Sequence, residues 1–63
     1  MAYASYVQIA CIVQAAAERE ILGSSLLAMC GIGTGYGAGA RRPSNLTKQE
    51  AAQVIECIQR SAV

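Results

Sequence analysis

The sequence predicts an all-α fold, a small bundle of two to three helices with a glycine-rich loop between the second and the third. Three observations predict it. Residues 2–21 repeat apolar side chains at helical spacing around an alanine-rich centre. Residues 47–61 open on a capping box and carry one apolar stripe. Between them, glycine occupies every second position from Gly31 to Gly39, which weakens any regular helix there by about 1 kcal/mol per residue relative to alanine.

The first helix is expected over about 2–21. Tyr6, Ile9, Val13, Ala16, Ala17 and Ile21 recur on one side, and Ala15-Ala16-Ala17 runs into Glu18-Arg19-Glu20, all strong helix formers. Val7, Ala10, Cys11 and Ile12 widen the stripe until most of the circumference is apolar, so this helix needs neighbours on more than one side. Gly23 is placed to cap its C-terminus, and Ser24 or Ser25 to cap the next N-terminus. A short apolar helix then spans about 25–32, with Leu26, Leu27, Met29 and Cys30.

A Gly/Arg/Pro loop covers 33–45. Pro43 forbids helix through that point, and Arg41 and Arg42 stand just before it. The third helix follows over about 47–61. Thr47 and Glu50 form its capping box, and Leu46 and Ala51 its hydrophobic staple. Ala51, Val54, Ile55, Ile58 and Ala62 make a narrow stripe opposite Lys48, Gln49, Gln53, Glu56, Gln59 and Arg60, with Glu56 and Arg60 at a favourable i,i+4 spacing.

A chain of 63 residues is one domain, 1–63, and at this size it buries only about 60% of the surface its unfolded form exposes. Something must therefore reinforce it. Three cysteines, Cys11, Cys30 and Cys57, are too few and too widely spaced for a disulfide framework; each lies in an apolar stretch, where a reduced thiol behaves as a small buried hydrophobe. There is no histidine and no C-x-x-C spacing, so no metal ligand set and no cofactor is expected. Oligomerisation or docking on a partner is the remaining reinforcement.

Composition agrees with that reading. Hydrophobic residues make up 54% of the chain and charged residues 14%, against about 25% charged in an ordinary soluble domain. The surface is short of charge, and a second protein is expected to cover part of it. A net charge of +1 disfavours nucleic acid as a partner. Residues 21–40 are uncharged over a membrane-spanning length, but all six glycines fall among them, so a membrane-associated or filament-forming small subunit is the disfavoured alternative. Residues 1–17 lack the basic start of a signal peptide. With reduced cysteines, the expected compartment is the cytoplasm.

Catalysis finds no residues to carry it. Glu18, Glu20, Glu50 and Glu56 all fall on polar parts of predicted helices, and a cysteine nucleophile would lack its histidine. No phosphate-cradling spacing occurs in the glycine run. The expected catalytic set is empty. The expected interaction face is Tyr6, Ile9 and Val13 on the first helix with Leu26, Leu27 and Met29 on the second. Tyr36, Arg41 and Arg42 are the expected loop contacts.

Residues 15–45 resemble the N-terminal part of the lysozyme-like lytic transglycosylase domain. Ala15-Ala16-Ala17-Glu18-Arg19-Glu20-Ile21-Leu22-Gly23 matches that family's first helix and its glycine stop. Ser25-Leu26-Leu27-Ala28-Met29-Cys30-Gly31-Ile32-Gly33-Thr34-Gly35-Tyr36 matches the helix that leads to the catalytic glutamate, and Ala40-Arg41-Arg42-Pro43-Ser44 the loop after it. The family's catalytic glutamate aligns with Gly33 and its following serine with Thr34, and the rest of the saccharide groove has no counterpart. The resemblance thus implies a non-catalytic relative that binds peptidoglycan or another glycan through Tyr36, Arg41 and Arg42.

Overall fold

In the computed structural model, residues 2–34 and 36–61 are described. They form three α-helices, α1 (Tyr6–Glu18), α2 (Gly23–Met29) and α3 (Lys48–Ser61), with short 3-10 turns at Gly37–Gly39 and Pro43–Asn45. Among the described residues there is no strand, only one antiparallel bridge between Tyr3 and Thr47.

α1 starts later than its periodicity predicts, because residues 2–5 are used elsewhere. The Ala4 N–H donates to the Leu46 carbonyl (2.9 Å) and the Lys48 N–H to the Ala2 carbonyl (3.1 Å), so the extended N-terminal stretch satisfies one of the free donors of α3. Ser5 then caps α1: its hydroxyl accepts from the Gln8 N–H, and Gln8 Oε1 accepts from the Ser5 N–H (2.9 Å). That pattern is a second capping box.

α1 also ends earlier, at Glu18. Arg19 is the C-cap, and Glu20 turns left-handed (φ 57°). The Glu20 N–H donates to the Ala17 carbonyl and the Ile21 N–H to the Ala16 carbonyl, both 3.1 Å, while Ile21 folds back onto the core. These bonds make a Schellman ending with glutamate in the seat that glycine usually takes. Gly23 is therefore no C-cap; it opens α2, close against Pro43. Leu22 is the α2 N-cap, and neither Ser24 nor Ser25 serves there.

α2 stops at Met29 rather than at 32 for the same geometric reason. Gly31 takes φ 85°, its N–H donates to the Ala28 carbonyl (3.0 Å), and the Ile32 N–H donates to the Leu27 carbonyl (2.8 Å). Buried Ile32 completes the motif by packing into the core. α3 begins as its capping box predicts: the Glu50 N–H donates to Thr47 Oγ1 (3.2 Å) and the Thr47 N–H to Glu50 Oε1 (3.0 Å). Leu46 and Ala51, the staple pair, are fully buried.

The core is Ile12, Ala15 and Ala16 from α1, Leu26 and Leu27 from α2, Ile32 and Leu46 from the connections, and Ala51 and Val54 from α3, with Ala4, Ile21, Cys30, Ile55 and Ile58 around it. α1 is the central element and packs on both α2 and α3. Its inner side is the Ile12–Ala15–Ala16 strip. Tyr6, Val13 and Ala17, assigned by periodicity to the same stripe as Ala16, lie outside it.

Candidate functional site

Two open grooves invite a functional reading. The first lies between the end of α2 and the last turns of α3, has a volume of about 480 Å³, and is lined by Cys30, Gln53, Glu56, Cys57, Arg60 and Ser61. Burial pushes the Cys30 thiol up to about 12, and a hydrogen bond with Cys57 and the nearby charge of Cys57 push the same way. A thiol that keeps its proton so high is a poor nucleophile and a poor metal ligand at neutral pH. Glu56 is taken up by its ion pair with Arg60, as the i,i+4 spacing predicts. Among the described residues, no three His, Cys, Asp or Glu side chains converge on a point where a metal ion could be held.

The second groove, about 380 Å³, runs along the outer face of α1 and is lined by Tyr6, Ile9, Ala10, Val13, Gln14 and Ala17. Here the structure brings three predicted interaction residues together. Tyr6 is 87% exposed and Val13 50%, with Val7 exposed beside them and Ile9 half-buried at the inner edge. No ionisable residue other than Tyr6 and Cys11 occurs from Tyr6 to Ala17. Cys11, expected as a buried hydrophobe, is also on the surface.

Three other predicted site residues are corrected by the structure. Leu26 (3% exposed) and Leu27 (0%) are core residues, not contact residues. A helix as short as α2 shows only its inner side to periodicity, so apolar content alone cannot separate core from interface. Arg41, expected as a free loop contact, is a clamp: its guanidinium donates to both carboxylate oxygens of Glu50 (3.0 and 2.8 Å) and to the Asn45 carbonyl (3.3 Å). That guanidinium, with the Thr47 N–H, holds the Glu50 carboxyl below the usual carboxylate range. Glu50 is thus a structural group rather than a merely solvated charge.

Met29 is exposed but does not line the α1 groove, while Tyr36 and Arg42 are exposed in the loop. The loop itself closes by a bond from the Thr34 N–H to the Gly39 carbonyl (3.2 Å) and from Thr34 Oγ1 to the Tyr36 carbonyl (2.6 Å). Gly33, the position aligned with a catalytic glutamate, takes φ 77°, and a Cβ there would stand 2.8 Å from Arg41 Cγ and 3.0 Å from the Gly39 carbonyl oxygen. A side chain at Gly33 would open the loop before it presented a carboxylate.

Sequence periodicity missed Ala10, Gln14 and Ala17 as groove residues. For Ala10 and Ala17 the signal was present in the 4-3-4 spacing of Tyr6, Ala10, Val13 and Ala17, the seam spacing of paired helices; Gln14 lies beside that series. Among the described residues, no helix is long and apolar enough to cross a membrane. The chain matches no protein-family model, no curated protein and no solved structure.

Proposed function

We propose that this chain is a non-catalytic helical interaction module that docks through the outer face of α1, on a larger protein or on another copy of itself. The observation that carries the reading is a surface helix whose solvent side has no charged residue from Tyr6 to Ala17, while a groove runs along it. Water-facing helix sides are normally charged or polar, and the largest contiguous apolar patch on a small protein is often its interaction site.

The test compares the wild type with Val13→Asp, both purified and as bait in an extract of the source cells. Val13→Asp changes the groove without touching the core. The reading expects complexes with the wild type that disappear in the variant, at equal helix content by circular dichroism. Identical behaviour of the two proteins in both settings would contradict it.

A further inference from the structure

From the groove on α1 we infer that its occupant is a second copy of the same helix, packed antiparallel across a two-fold axis that passes between residues 11 and 12. The inference rests on the docking reading above and names its partner. Tyr6, Ala10, Val13 and Ala17 follow one another at 4-3-4 spacing on the exposed side of α1, and this is a heptad seam about 16 Å long. Along it the side chains run large, small, large, small. In an antiparallel pair centred between 11 and 12, Tyr6 of each copy is level with Ala17 of the other, and Val13 with Ala10. Each large side chain meets a small one. An isologous contact demands this self-complementarity. A parallel pair would stack tyrosine on tyrosine and leave alanine facing alanine.

Charge favours the same orientation. α1 has no acidic residue in its first turn and no basic residue in its last. Antiparallel packing brings Glu18 of each copy level with Ser5 of the other, beside a helix N-terminus that attracts negative charge. Parallel packing would collect Glu18, Arg19 and Glu20 of both copies, a net negative charge, at one end. Area sets the strength. Tyr6, Val13 and their neighbours in the groove expose about 500 Å² per copy, so the pair buries at most about 1,000 Å², the lower edge of specific interfaces. Because α1 is already held by the core, pairing orders no new backbone. An interface this small is a weak one, so pairing is expected only toward the upper end of the micromolar to millimolar range.

Light scattering after size exclusion, with thiols reduced, tests this at about 5 µM and about 1 mM, which bracket an interface of that size. The wild type should pass from 6.6 kDa to twice that mass. Tyr6→Lys and Ala17→Glu should each weaken the dimer at least tenfold. The double variant Y6K/A17E should dimerise more tightly than the two single losses combined predict, because antiparallel packing makes two opposite-charge pairs. A wild type that stays at 6.6 kDa at the upper concentration overturns the second copy, and the docking reading then stands or falls on its own Val13→Asp comparison. A dimer untouched by the single variants overturns this face, and a double variant no tighter than the two single losses combined predict overturns this orientation.

Discussion

α1 and α3 have 13 and 14 residues, and both give one side to the same core. On their outer sides they differ. α3 shows water Lys48, Gln49, Ala52, Gln53, Glu56, Gln59, Arg60 and Ser61; α1 shows it Tyr6, Val7, Ala10, Cys11, Val13, Gln14 and Ala17, with a charge only at its last residue, Glu18. The fold asks the same of both helices, namely an inner apolar strip, so it does not account for the difference outside. A helix that only had to be soluble would look like α3. On the proposed reading, the apolar outside of α1 is the side that meets a partner.

The largest expected effect tests whether the two helices are equal inside. Ile12→Ala in α1 and Val54→Ala in α3, both at 0% exposure, should each cost about 2–4 kcal/mol in urea titrations. A chain of this size has about 3–5 kcal/mol to lose, so Ile12→Ala should be mostly unfolded at 25 °C. A cost under about 1 kcal/mol would show that this core is not what holds the helices together.

The outer sides should then separate them. Tyr6→Asp and Val13→Asp on α1, and Gln53→Asp and Gln59→Asp on α3, should each leave the stability of the monomer within about 1 kcal/mol. Only the α1 pair should reduce association, by tenfold or more in sedimentation equilibrium. Equal losses from both helices would break the contrast.

A smaller effect is expected at the helix ends. Glu20 holds a left-handed seat at the end of α1 that Gly31 holds at the end of α2. Glu20→Gly should raise stability by about 0.5–1 kcal/mol, and Gly31→Ala should lower it by about 1–2 kcal/mol.

The smallest effect is on pH. The pKa of Glu50 is lowered in the folded state, first by Arg41 and then by the Thr47 N–H. The carboxylate therefore adds stability above its unfolded pKa, and that stability is lost as pH falls through the lower folded value. In melting curves between about pH 6 and pH 3, Arg41→Ala should flatten the acid decline while leaving association unchanged.

Much of this molecule was legible in its residues. The Thr47–Glu50 box located the start of α3, and alanine-rich sequence located the body of α1. The start of α1 was not found, because residues 2–5 pair with residues 46–48, a contact far along the chain; yet Ser5 and Gln8 had the spacing of a capping box. Its end was hidden because glutamate, not glycine, takes the turn at position 20. Arg41 and Glu50 are nine residues apart, beyond any local pattern. On the candidate site, Tyr6, Ile9 and Val13 were legible as apolar residues of a helix, whereas Ala10 and Ala17 fit either a core or a seam. Leu26 and Leu27 were misplaced for the reverse reason: a buried strip and a contact strip have the same composition.

The most direct measurement is a dilution series of methyl and aromatic NMR spectra of the wild-type protein. Signals of Tyr6, Ala10, Val13 and Ala17 should shift with concentration, while those of Ala52 and the other exposed residues of α3 stay fixed. If the α1 signals do not move between micromolar and millimolar protein, and none moves when the source-cell extract is added, then the outer face of α1 faces water like any other and contacts nothing.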